Sequence, residues 1–212
     1  MSKKVLILSG SPRKGGNSDI LCDEFAKGAT EAGHNVEKIR VPEKNIHHCI
    51  ACYHCSKNSG ACVFKDDMAE ILQKMIDADV LVLASPVYFY SIDAQLKAVI
   101  DRTVARWLEV KNKEFYYITT MADNEKSSAD TTLACFRGYA DCVEGAVEKG
   151  VISVTCDVDT TQLGQYSVEA VTSYIEDGRT NSFYNVDINF LDRTAVKKMR
   201  REAVTDEKDP LE

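Results

Sequence analysis

Val5-Leu6-Ile7-Leu8-Ser9-Gly10-Ser11-Pro12-Arg13-Lys14-Gly15-Gly16-Asn17-Ser18 is the stretch that decides the architecture. Its first four residues are apolar without alternation, as expected of a parallel strand covered on both faces. Small and polar residues follow, and then Leu21, Phe25 and Ala29 recur every four positions, the spacing of a helix that ends near Gly33. Working outward, residues 36–41 read as a second strand. Met68, Ile71, Leu72, Met75 and Ile76 form the apolar face of a second helix, with Asp66-Asp67 as its cap. Residues 80–84 are a third strand, and Leu96, Val99, Ile100, Thr103 and Trp107 mark a third helix. A fourth strand over 114–120 precedes a helix carrying Leu133, Phe136, Ala140, Val143 and Val147, closed by Gly150. Residues 151–155 are a fifth strand, and Val168, Val171 and Ile175 belong to a final helix ended by Gly178. Five βα units with short connections predict an α/β, doubly wound sandwich: a five-stranded parallel sheet with helices on both faces, within residues 1–178.

Two segments stand outside that alternation. One is a cysteine-rich loop, 47–65, inserted between the second strand and the second helix. The other is a C-terminal arm, 179–212, in which Val186, Ile188 and Phe190 alternate over one short strand. An aromatic arm of this kind is expected to pack on the domain or to reach a neighbouring subunit.

Composition narrows the function. The 212 residues are 44% hydrophobic and 28% charged, the balance of a folded globular chain. No apolar run exceeds the five residues at 80–84, against the ~18 needed to cross a bilayer, and no signal-peptide pattern precedes the first strand. The chain is therefore expected to be cytoplasmic, without membrane contact. Its 26 basic and 33 acidic side chains leave a net charge of −7, which repels nucleic acid. Eight cysteines without a secretory signal point to reduced thiols, metal ligands or redox chemistry. Cys49, Cys52, Cys55 and Cys62 crowd into one loop with the spacing C-x2-C-x2-C-x6-C. Cys22, Cys135, Cys142 and Cys156 fall within regular elements and read as small core residues.

Open α/β sheets bind ligands at the carboxyl ends of their strands, so the loop after the first strand is the place to look. Glycines let backbone amides approach an anion, and the following helix N-terminus adds a partial positive charge. Ser9, Ser11, Asn17 and Ser18 supply neutral donors, Gly16 a close backbone, and Arg13 a planar charged fork. The loop reads as a phosphate cradle. It is not a Walker loop, because Gly16 stands where the lysine belongs, and the dinucleotide pattern GxGxxG is absent. No cysteine lies in it, which excludes a cysteine phosphatase.

The pattern G-S-P-R-x-x-x-N-S resembles the FMN phosphate loop of the NAD(P)H-dependent FMN reductases, within the flavodoxin-like superfamily. Ser85-Pro86-Val87-Tyr88-Phe89-Tyr90, Gln95-Leu96-Lys97, Asp101-Arg102, and the cysteine block followed by Asp66-Asp67 extend the resemblance to the subgroup that includes the iron–sulfur flavoproteins. It runs in order from residue 3 to about 178. The resemblance implies a flavodoxin-like fold, with FMN bound by Ser9, Ser11, Arg13, Gly16, Asn17 and Ser18 at the phosphate. Pro86, Val87, Tyr88, Phe89, Thr120 and Met121 would surround the ring. The residues agree: Pro86 holds Ser85 extended, and three aromatics follow in a short loop, as a flat ring requires. The loop at 120–123, Thr-Met-Ala-Asp, departs from the glycines common in similar proteins.

The implied reaction passes hydride from NAD(P)H to FMN and electrons onward to a quinone, flavin, nitro compound or redox protein. It needs no side-chain acid or base, so no catalytic residue is nominated. Four soft thiolates suit a [4Fe–4S] cluster or a tetrahedral zinc, and metal-free thiols are the third reading of Cys49, Cys52, Cys55 and Cys62. With a cluster, the protein becomes an electron carrier. His47, His48 and His54 read as solvated loop residues. The resemblance further implies a homodimer or tetramer with the ring site completed across the interface, where Trp107 marks either that surface or the core.

Overall fold

The computed structural model describes residues 2–123, 125–157 and 184–189. Six parallel strands form one sheet in the order β2-β1-β3-β4-β5-β6. They are β1 (Lys4–Ser9), β2 (Asn35–Arg40), β3 (Val80–Pro86), β4 (Glu114–Met121), β5 (Val147–Asp157) and β6 (Tyr184–Asn189). The five expected strands are all present. The alternation at Val186 and Ile188 falls on the sixth, which pairs with β5 from Ile152↔Tyr184 to Asp157↔Asn189. The helix read at Val168, Val171 and Ile175 lies outside the described residues.

The central strands are apolar on both faces because both are covered. Val5, Ile7, Val80, Val82 and Ala84 meet Leu21, Cys22, Phe25 and Ala29 of α1 (Asn17–Glu31) on one side. Leu6, Leu8, Leu81 and Leu83 meet the other described main helices on the opposite side: α3 (Met68–Asp77), α4 (Ala94–Arg102) and α5 (Asp130–Asp141). α1 stops at Gly33, whose φ of 84° no other residue adopts cheaply, with the His34 amide donating to Ala29 O. A one-turn α2 (His54–Lys57) sits inside the cysteine loop.

Four expectations are corrected. α4 ends at Arg102, and Thr103–Ala105 and Trp107–Glu109 are 3-10 turns, so Trp107 is not on the helix and is exposed. α5 ends at Asp141; Gly145, with φ 71° and Asn112 pressed against it, makes the turn, and Val147 already belongs to β5. Gly150 therefore lies in the strand, where the register against β4 shifts by one residue. Asp67 makes no capping bond; Asp66 Oδ1 accepts the Met68 amide at 3.3 Å while its carboxylate serves Arg102. Among the cysteines, Cys22 is a core residue whose thiol burial pushes up to about 12, but Cys142 is exposed just after α5.

Candidate functional site

Three loops leave the carboxyl ends of adjacent strands and are tied together. The loop after β1 runs into α1, whose first turn carries Ser18; its Oγ shares a 2.8 Å hydrogen bond with Thr120 Oγ1 at the end of β4. The Val87 amide, just past β3, donates to Thr120 O at 2.7 Å. Thr120 thus joins the phosphate loop to the segment after β3. Ser9, Ser11 and Ser18 are buried, Gly16 and Asn17 are half-buried, and Arg13 is exposed at the loop tip. The N-cap of α1 is Gly16, which has no side chain to cap it, and Ser9 Oγ is buried with no hydrogen-bond partner among the described residues. An added Cβ at Gly16 would lie 3.0 Å from Arg13 Cβ, so glycine keeps the turn tight. An uncapped helix start, a narrow turn and buried hydroxyls fit a dianionic phosphate.

Charge balance around the loop is set by a group the sequence reading overlooked. Asp19, in the first turn of α1, accepts the Gly15 amide at 2.7 Å. Lys38 and Arg40 of β2 reach its Oδ1 at 2.7 and 3.3 Å. Burial alone would raise the Asp19 carboxyl, yet the Lys38 hydrogen bond, the Gly15 amide and the two cations hold it below the ordinary value. Arg40 also donates to Ser11 O at 3.4 Å, bracing the loop. The available signal was the alternation Lys38-Ile39-Arg40, which puts both cations on one face of β2. Asp93 is a second buried carboxylate under the loop. Its Oδ1 accepts the Leu96 amide at 2.9 Å to cap α4, and its carboxyl packs so closely on Gly10 that a Cβ there would lie 2.1 Å from Oδ2. Burial pushes Asp93 up, against its bonds to the Leu96 amide and Ser85.

In the segment leaving β3, Pro86 is buried at the strand end and Val87 is half-buried against the core. Tyr88 and Ser91 exchange both backbone hydrogen bonds, at 2.9 and 3.0 Å, closing a two-residue turn. Phe89 and Tyr90 occupy it at φ 50° and 62°, and Phe89 is fully exposed. The strand end thus holds Phe89 and Tyr90 in a sterically costly conformation while Tyr88, Phe89 and Tyr90 all face solvent. Met121 differs from these aromatics in being buried in the core.

Cys49, Cys52, Cys55 and Cys62 line one cavity of about 380 Å³, with Val63, Phe64, Val104 and Ala105 among its apolar walls. Left-handed residues Ala51, Tyr53, Ser59 and Gly60 fold the loop over the cavity, and Gly60 packs against Ala105 O and Arg106. No three His, Cys, Asp or Glu side chains among the described residues are close enough to hold a metal ion as the loop stands. The donor set still suits a sulfur-ligated centre, because four cysteines line one half-open cavity. His48 and His54 are exposed, and His47 stacks on Phe64 at 4.7 Å. Beneath the loop, Arg102 grips Asp66 at 2.8 and 2.9 Å and donates to His47 O at 2.6 Å. The sequence offered Arg102 only as part of a motif, since an arginine at a helix end is usually solvated.

Among the described residues no helix is long and apolar enough to cross a membrane. Residues 3–134 match the family model described as NADPH-dependent FMN reductase. An iron–sulfur flavoprotein of Methanocaldococcus jannaschii is 44% identical over 100 residues, 47% of this chain and 51% of that protein. An iron–sulfur flavoprotein of Methanosarcina thermophila is 39% identical over 101 residues, 48% of this chain and 52% of that protein. The chain spans about half the length of these curated relatives. An azoreductase structure from Bacillus anthracis superposes with a TM-score of 0.59 at 17% identity, covering 72% of this chain and 87% of that one, which supports the flavodoxin-like fold.

Proposed function

Since the chain belongs to the NADPH-dependent FMN reductase family, we propose that it is an FMN-dependent oxidoreductase taking reducing equivalents from NAD(P)H. The observation that carries this reading is the junction at Thr120, which links an uncapped helix start and a tight glycine turn to an exposed aromatic edge. FMN bound there would supply hydride acceptance from a nicotinamide and electron delivery to an acceptor. The chain's part is placement. The α1 amides, Ser11, Asn17, Ser18 and Arg13 hold the phosphate; Lys38 and Arg40 neutralise Asp19, so the anion meets no net repulsion. Tyr88, Phe89 and Tyr90 give a platform that excludes water from one ring face. The acceptor is a quinone, flavin, nitro compound or redox protein.

The cavity lined by four thiols favours a second reading, in which Cys49, Cys52, Cys55 and Cys62 hold a [4Fe–4S] cluster. Such a cluster would supply one-electron exchange with a protein donor. Both readings suit a reducing cytoplasm and a homodimer or tetramer that covers the aromatic edge. Residues 1–178 would hold the complete FMN site, with 179–212 as an arm.

The deciding experiment is the visible spectrum of anaerobically purified protein with iron and sulfide analysis, followed by assays with NADH, NADPH and reduced ferredoxin. Flavin bands without iron, and turnover with a pyridine nucleotide, support the first reading. Flavin with about four irons per chain and turnover only with ferredoxin supports the second. A chain that refuses FMN overturns both.

A further inference from the structure

We propose that Arg102 is a positioning residue for the cysteine cavity, donating its Nε–H to a sulfur of an anionic sulfur-ligated centre there and favouring that centre's reduction. The proposal rests on the cluster reading above. Its starting point is an imbalance in the partners of a buried cation. The Arg102 side chain is 3% exposed. Its Nη atoms are satisfied by the Asp66 carboxylate and by His47 O. Its Nε is buried and finds no acceptor among the described residues. The Phe64 ring lies over the guanidinium, 5.3 Å from ring centre to Cζ, and closes one face to water. Arg102 is also a wall of the cavity that the four cysteines line.

The charges agree. Among the described residues lining the cavity, Arg102 is the one cation; Asp101 is the one carboxylate, and it pairs outward with Lys97. Arg102 shares the wall of this cavity with Cys49 and Cys62. A cluster with four thiolates is anionic and gains a further negative charge on reduction. A fixed donor in a dry wall therefore stabilises the reduced form more than the oxidised form. Asp66 keeps the fork fixed, so the hydrogen bond needs no rearrangement when an electron arrives.

The test uses the holoprotein with Arg102→Lys, Arg102→Gln and Asp66→Asn. Lysine keeps the charge but has no Nε–H, while Asp66→Asn leaves the Nε–H in place. Iron content, melting temperature, midpoint potential by EPR-monitored titration, and exchangeable-proton coupling to the reduced centre in deuterated buffer are measured on each. The expected result is full iron in the wild type and Arg102→Lys. Arg102→Lys should shift the reduction equilibrium about tenfold toward the oxidised form, 59 mV for a one-electron couple. Both arginine variants should lose a coupled exchangeable proton that Asp66→Asn keeps. Unchanged potential and coupling in iron-replete Arg102→Lys overturns the proposal and leaves the cluster reading intact. Equal loss of iron in Arg102→Lys and Asp66→Asn also overturns it, because Arg102 then only anchors the loop. An iron-free wild type removes the cluster reading, and this proposal with it.

Discussion

On the proposed reading the loop after β1 holds a phosphate, which a carboxylate at its base would repel unless that charge were cancelled; Lys38 and Arg40 pair with Asp19 there. The pH dependence follows from the direction of the shift. The folded-state carboxyl titrates below the unfolded one, so Asp19 contributes stability above the ordinary aspartate pKa. That contribution is lost as pH falls from about 4 through the lower folded value. Denaturant titrations at pH 6, 5, 4 and 3 should therefore show a smaller acid loss for Asp19→Asn than for wild type; identical slopes would mean Asp19 is unimportant to folding. Asp66 is shifted down too and fades in the same window, so the variant should flatten the curve only in part. Asp93 runs the other way. Burial raises its folded pKa, so its ionised form costs stability at neutral pH, and that cost disappears as pH falls toward the unfolded value. Asp93→Asn keeps a capping oxygen, and its stability relative to wild type should be highest at pH 7 and shrink toward pH 4 by the same titrations. Arg13 has a different role, because it is exposed and supports no buried contact. Arg13→Ala should leave the melting temperature alone and weaken FMN binding by ~1.5–3 kcal/mol if the guanidinium meets the phosphate, as read by flavin fluorescence titration.

Elements were legible where burial fixes their pattern, and less so where a single charge or turn decides. The runs at 5–8 and 80–84 could only be two-sided strands, and the spacing Met68-Ile71-Leu72-Met75 could only be a helix facing a core. Trp107 fits the helical period from Leu96, but nothing in a period says where a helix stops, and the chain leaves it after Arg102 for 3-10 turns. Val147 fits the α5 period equally well, and only Gly145 at φ 71° tells the two elements apart. In the candidate site, residue type alone singles out Ser18 and the Pro86 segment. Asp19 and Arg102 are not singled out, because a charged residue in sequence looks solvated until its partner, 19 to 55 positions away, is brought beside it; nor is Asp93, whose burial against Gly10 only the fold creates. The turn at Tyr88–Ser91 carries a prediction of its own. Two bulky residues with φ above zero cost roughly 1–3 kcal/mol each where Asn-Gly would be relaxed. Phe89→Asn with Tyr90→Gly should raise the unfolding free energy, since neither aromatic is buried. The same change should weaken FMN binding if the aromatics flank its ring. A double variant that is less stable yet binds FMN normally would assign these residues to packing instead.

Among the described residues the sheet has two edges, and they are protected differently. β2 is guarded by charge: Glu37, Lys38 and Arg40 sit along it, paired with Lys74, Asp19 and Glu43. β5 would be the opposite edge if β6 were absent, and its sequence there is Val151-Ile152-Ser153-Val154-Thr155-Cys156. That stretch is β-branched, uncharged and free of proline, the composition that pairs readily with other chains. β6 covers it with six register pairs. Ending the chain after Gly178 should therefore leave the β1, β3 and β4 loops intact but expose that run. The truncated protein is expected to melt lower and to form higher oligomers in light scattering, while its monomer fraction binds FMN with unchanged affinity. Saturating FMN at about 100 times its Kd should then restore roughly 2.7 kcal/mol, because the ligand stabilises only the folded form. A truncated chain that stays monomeric with an unaltered melt would show that β5 needs no cover. Loss of FMN affinity in the surviving monomer would mean instead that residues after 178 reach the site.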